Sequence, residues 1–249
     1  MTANPTDIDA VVRRAWKSIY DGIADATGNI VDIFLNKFAD HVLEAPRFEV
    51  DPLTGDRVYA SSSKTAKSAG ALDGWSPEEM ALLSQKACHY VAILLNLVEA
   101  GSPWPSSAPH ARVAYLLKEG AEIGQVMNYR PLTIASPLYR CWATCRLEDM
   151  HMWVQMWALE EMYAGVHGRG AVDAWHEVLT TLEHCKLENG SYCGGVADIA
   201  KFFDQIRRDL VYRTCEAAGM PTGVFKAYVA YLETSKSTTV SLEAWEHPT

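Results

Sequence analysis

The stretch Gly195-Val196-Ala197-Asp198-Ile199-Ala200-Lys201-Phe202-Phe203-Asp204-Gln205-Ile206 constrains the fold more than any other part of this chain. A short apolar run ends at an acid, passes through an aromatic pair and enters a helical pattern. That order predicts a buried strand feeding a helix. An acid at a strand's exit is held rigidly at the floor of a cleft, where a divalent metal and a triphosphate can sit. A chain organised around such a junction must combine strands with helices.

The remaining signals agree with a mixed fold. Apolar positions Ile8, Val11, Val12 and Trp16 recur at helical spacing, so residues 8–44 are expected to form two helices broken near Gly28. Residues 46–74 read as loop, with a turn over Asp51-Pro52-Leu53-Thr54-Gly55-Asp56 and a mobile piece at 61–70. Ser76-Pro77-Glu78-Glu79 offers a capping box with proline at the first helical position, opening one long helix to about Ala100, where Gly101 stops it. β-type residues over 111–118 and 129–135 predict a hairpin with its tip at 119–124. Helices are expected over 137–162 and 171–187, a turn at Glu188-Asn189-Gly190, and a strand over 192–199. Helices over 203–218 and 221–234 and a strand near 238–242 complete an α+β reading.

Composition sets the limits. In 249 residues, 49% are hydrophobic, enough for a sizeable core and against extensive disorder. The longest apolar run, 90–98, is interrupted by Asn96 and falls far short of a bilayer crossing. The polar start, with Asp7 and Asp9, has no signal-segment character, so an intracellular protein of the nucleus or cytoplasm with no membrane partner is expected. Six cysteines lack zinc-site spacing. Cys141 and Cys145 share a helix face, near His151, and are expected as buried free thiols. The net charge of −9 argues against a nucleic-acid partner, although a whole-chain sum conceals local basic surfaces.

The opening stretch resembles the first catalytic motif of reverse transcriptases, especially the non-LTR retroelement and group II intron kind. The resemblance implies that Asp198 is the catalytic carboxylate binding Mg²⁺. It also implies that Phe203, five residues on, lies against the nucleotide sugar and excludes a 2′-hydroxyl. One of Phe202 and Phe203 is expected to pack in the core, and Asp204 to hold the turn or pair with Arg207 or Arg208. The runs Ala111-Arg112-Val113-Ala114-Tyr115-Leu116-Leu117-Lys118 and Asn128-Tyr129-Arg130-Pro131-Leu132-Thr133-Ile134 resemble the family's fingers hairpin, which implies that Lys118 and Arg130 bind the incoming triphosphate. Weaker echoes are Ala69-Gly70-Ala71-Leu72-Asp73-Gly74-Trp75, with Leu72 where a proline is usual, and the loop Gly165 to Ala174. In that loop His167 stands where an arginine is commoner, and Arg169 keeps a cation nearby.

The match spans roughly residues 68–243. It implies a helical N-terminal extension (1–60), a fingers-like region (61–190) and a partial palm (191–249). The implied activity is template-directed nucleotidyl transfer from dNTPs by two metal ions, with RNA template and primer DNA as partners. Family members continue into a Gln-Gly-rich motif and an x-Asp-Asp turn that supplies further metal-binding carboxylate. Neither stands before Thr249, so a fragment that is silent alone is expected, with an unpaired palm edge that lowers solubility.

Blander readings stand beside this one. Asp198 is also a favoured helix cap, and Lys118 and Arg130 are also two surface cations flanking a hairpin. The chain is alternatively a non-catalytic helical interaction domain, or a metal-independent nucleic-acid-binding module using Lys118, Arg130 and Arg169 on phosphates.

Overall fold

The computed structural model describes residues 5–20 and 30–239. Its helices are α1 (Pro5–Tyr20), α2 (Ile30–Lys37), α3 (Gly55–Thr65), α4 (Pro77–Ala81), α5 (Gln85–Glu99), α6 (Pro137–Trp157), α7 (Ala171–Leu187), α8 (Phe202–Gln205), α9 (Arg208–Ala217) and α10 (Thr222–Thr234). Its strands are β1 (His110–Leu117), β2 (Tyr129–Ile134) and β3 (Lys236–Thr239). The class is α+β, rich in helix around one small sheet.

The sheet has the order β2-β1-β3. β1 and β2 form the expected antiparallel hairpin, with Arg112 opposite Ile134 and Leu117 opposite Tyr129. β3 joins the other edge of β1 in parallel, His110 opposite Lys236 and Val113 opposite Thr239. It covers the start of the strand expected at 238–242; positions 240–242, like Gly28, lie outside the described residues.

Helices α3, α4, α5 and α6 start at capping side chains. Ser76 and Glu79 form the expected capping box on α4, Ser76 N donating to the Glu79 carboxylate at 2.8 Å. The expected single helix is nevertheless two. Ser84 caps a second start, its hydroxyl accepting from Ala87 N at 3.2 Å, and α5 then runs to Glu99. A second cap three residues before a long apolar pattern competes with continuation of the first helix, and here it prevails.

The expected loop and mobile piece at 46–74 contain a helix instead. Thr54 caps α3, and Val58, Ser61 and Ser62 are buried. Its serines look like linker residues in sequence, but their small size admits close contact with α6. Ser61 donates to Cys141 O at 3.0 Å, and Ser62 donates back to Val58 O at 2.9 Å. On the other side, a Cβ added at Gly55 would lie 2.9 Å from His89 Cα on α5, so α3 and α5 meet at backbone distance.

Two further expectations are corrected near the chain's end. The strand at 192–199 does not form: residues 190–199 are exposed, without regular secondary structure and outside any sheet. β propensity describes fit to a pleated, partnered surface, and this run has no neighbour to supply one. The helix expected at 203–218 is split into α8 and α9 around Ile206 and Arg207, and α6 ends at Trp157 rather than 162.

The main core lies among α3, α5, α6, α9 and α10, through Val58, Leu95, Cys141, Trp142, Met150, Trp153, Val224 and Tyr231. Trp104 enters it from the loop after α5, its indole N–H donating to Ala227 O at 2.9 Å. Trp104, Tyr139, Trp142 and Tyr231 pack as one aromatic group, with Tyr139 stacked on Tyr231 at 3.5 Å between centroids. By contrast α7 buries none of its residues. Val172, Trp175, Leu179 and Leu182 leave an apolar stripe exposed along it.

One guanidinium ties this core together. Arg146, 2% exposed, holds Glu99 bidentately (2.7 and 2.6 Å), Asp149 at 2.7 Å and the carbonyl of Asp51 at 2.8 Å. Arg146→Ala would strand Glu99 without its cation, and a loss of about 3–5 kcal/mol is expected in urea unfolding. Gly219 is a second sensitive point. At φ +75 its added Cβ would lie 2.3 Å from Pro46 O, where segment 45–48 is bonded to the α9–α10 turn. Gly219→Ala is expected to cost about 1–3 kcal/mol, read as a lowered Tm.

Candidate functional site

The hairpin arranges its cations by strand alternation. Leu116 is opposite Arg130, so Arg130 shares the face of β1 that carries Arg112, Ala114 and Leu116. Lys118 continues the pairing past the strand end, its N–H donating to Asn128 O at 2.9 Å. It therefore returns to the same face, diagonal to Arg130, with Cα atoms roughly 7–8 Å apart. Arg130 is exposed; Lys118 is half-buried, and its ammonium donates to Met127 O at 3.2 Å. On the opposite face Ala111 and Val113 are buried.

Asp198 occupies the exposed segment without regular secondary structure between α7 and α8. That segment leaves α7 through a tight C-terminal turn, with Asn189 at φ 51 and Gly190 N donating to Cys185 O at 2.8 Å. The rigid strand exit expected for Asp198 is therefore absent. Phe203 is 88% exposed and meets Phe202 edge-on at 5.5 Å, and Phe202 is exposed as well. The expectation that one of them packs in the core is corrected, because the missing strand leaves no sheet for either ring to cover. Arg207 pairs with Asp209 at 2.7 Å and Arg208 donates to Leu232 O at 2.8 Å. Asp204 interacts electrostatically with Lys201.

Helix α1 touches two of the expected site segments, the hairpin tip and α8. Lys201, three positions after Asp198, has a left-handed backbone (φ 54, ψ 35) at the start of α8. Its ammonium lies 4.2 Å from the centroid of the Trp16 ring on α1. Its pKa is lowered by desolvation and by the nearby charge of Lys118. Helix α1 rests against both α8 and the 3-10 turn Val126–Asn128 at the hairpin tip. Lys201 stands in the motif itself, but its contact with Trp16 depends on the docking of α1, which has no local sequence signature.

The weaker echoes have architectural roles. Asp73 accepts from the Ser136 hydroxyl at 2.6 Å, and Ser136 caps α6, so the Leu72-Asp73-Gly74 turn is fixed beside the end of β2. Arg140 reinforces it by donating to Ala69 O at 2.6 Å. Arg169 donates to the carbonyls of Leu159, Glu160 and Met162, closing the loop after α6. His167 stacks on His151 with centroids 4.3 Å apart.

Magnesium takes several hard oxygens in near-octahedral geometry, typically one or two carboxylates with substrate phosphates. Asp198 brings one carboxylate on an exposed segment. Among the described residues, no group of three or more His, Cys, Asp or Glu side chains is placed to hold a metal ion. This arrangement does not fit a resident magnesium site. No described helix is long and apolar enough to cross a membrane.

The cysteines are free, with Cys88, Cys141 and Cys145 buried and Cys193 exposed. Cys141 and Cys145 donate to Val58 O and Arg57 O, both at 3.7 Å, which binds α6 to α3. The Cys145 pKa is raised by its hydrogen bond to Cys141 and by burial. A thiol reagent is expected to modify Cys193 first and to spare Cys88, Cys141 and Cys145 until unfolding. Early modification of Cys141 in peptide mass mapping would show the α3–α6 contact to be open.

No protein-family model matches this chain, and no curated protein matches it.

Proposed function

We propose that this chain is the fingers and first palm part of an RNA-directed DNA polymerase of the nucleus or cytoplasm, a nucleotidyltransferase that takes RNA template, primer DNA and dNTPs. The observation that supports this reading is the hairpin register, which sets Lys118 and Arg130 diagonally on one face. Arginine offers phosphate a planar fork and lysine a mobile point charge, the combination suited to a triphosphate. In this reading Phe203 meets the sugar, and Asp198 is the carboxylate that meets magnesium brought in with the nucleotide.

These 249 residues contain no adjacent Asp pair, and among the described residues Asp198 belongs to no group of three or more His, Cys, Asp or Glu side chains that could hold a metal. The chain is accordingly silent in nucleotidyl transfer by itself. In a primer-extension assay it is expected to add no dNTP above background; sustained magnesium-dependent extension would overturn that silence. Binding to an RNA–DNA hybrid is expected to weaken with salt, and Lys118→Ala and Arg130→Ala each to reduce the salt slope by about one. Unchanged slopes in both variants would remove the hairpin from the binding surface and with it the support for this reading.

The exposure of Asp198, outside any candidate metal group among the described residues, also favours a second reading, a nucleic-acid-binding module that works without metal. Hybrid binding that persists undiminished in EDTA, with the same dependence on Lys118 and Arg130, would select it.

A further inference from the structure

Helix α7 buries none of its 17 residues, and its apolar side chains are not scattered. Val172, Trp175, Leu179 and Leu182 recur at alternate gaps of three and four, so they form one line along the helix, and Lys186 continues it. Val172 is 81% exposed and Trp175 62%. A line of this spacing is the narrow seam that a helix turns to one other helix, whereas a face meant for a globular core is broader. Val178 and Cys185 flank the seam on one side, His176 and Glu183 on the other.

The charges of α7 divide along the same line. Away from the seam, Asp173 accepts from Gly170 N at 2.7 Å, Glu177 accepts from the Tyr163 hydroxyl, and His184 lies 3.4 Å from Glu188. On or beside the seam, the side chains of His176, Glu183 and Lys186 have no hydrogen bond or ion pair among the described residues. The three unanswered charges are thus the three that a partner on the seam would meet.

The helix complements itself in one orientation. In an antiparallel pair with Leu179 of one copy opposite Leu182 of the other, Trp175 comes opposite Lys186, whose stem and ammonium cover the indole. The same register sets His176 beside Glu183 on one flank and Val178 beside Cys185 on the other. Each pairing occurs twice about a twofold axis, and the helix dipoles oppose. Parallel pairing would instead face Lys186 with Lys186 and put Glu183 beside Val178, leaving every charge unanswered.

We propose that α7 is a self-association helix, which pairs antiparallel with α7 of a second copy of this chain. The proposal does not depend on the polymerase reading; it stands on the seam and its complementary charges. About four turns of helix bury less than a standard interface, so the pair exchanges with monomer.

The test is sedimentation equilibrium of the full chain, with disulfide trapping to read the orientation. The unaltered chain is expected to show a reversible monomer–dimer equilibrium. Leu182→Glu, at an exposed position, is expected to weaken it roughly tenfold or more. Glu183→Lys is expected to weaken it several-fold, and adding His176→Glu to restore it, a rescue that a role within one copy does not give. In a Cys193→Ser background, Val178→Cys is expected to give a covalent dimer on oxidation with copper phenanthroline. The bond joins the introduced thiol to Cys185 of the other copy, so Cys185→Ser abolishes it. A chain that is folded by circular dichroism and monomeric at every concentration overturns the proposal. So does a dimer that Leu182→Glu leaves unchanged, which puts the interface elsewhere, or a trapped dimer that survives Cys185→Ser, which reports a different register.

Discussion

The packing of this protein turns on a buried arginine. A guanidinium removed from water must have all its charge and donors answered, and Arg146 finds two carboxylates and a carbonyl from three segments. Glu99 is shared with the Trp142 indole, and Asp149 with Arg57 of α3. One ionic chain thereby registers α3, α5, α6 and the loop at Asp51 against each other. Asn96 adds a neutral clasp beside it, its amide bonding both N–H and C=O of Leu53. The β1–β2 hairpin leaves this block between α5 and α6, so its base is anchored there while its tip rests on α1.

Away from that block the chain changes character. Residues from α7 to α8 contribute nothing to the main core, and their apolar side chains face solvent. The candidate site straddles the two regimes. Arg130 and Lys118 come from a paired strand and its edge, whereas Asp198 and Phe203 come from the exposed stretch. Lys201, held by α1, is the point where the regimes meet. The hairpin half of the site is thus geometrically defined by backbone pairing, and the acidic half by little more than chain connectivity.

What the sequence made legible follows the range of the forces involved. The hairpin, the α4 cap, α7 and α10 are written in local signals, namely alternation, capping residues and glycine or proline boundaries, and those elements formed where expected. The α3 helix was hidden because its serines and glycine resemble a linker until α5 and α6 are packed against them. The 192–199 strand was over-read for the converse reason: its residues favour a sheet that no neighbouring strand supplies. In the same way Lys118 and Arg130 were identifiable from their hairpin, while Lys201 and Trp16 became visible only once a helix near the start of the chain docked beside a turn near its end.

The sheet's third strand carries a kinetic consequence. β1 and β2 close over a short loop, but β3 reaches β1 only after the intervening helices have been threaded, with His110 opposite Lys236. Closing so long a stretch of chain is entropically slow compared with zipping a hairpin. A nascent molecule would therefore carry β1 with one edge bare through most of its assembly, a window in which another strand of suitable pattern can take the vacant place.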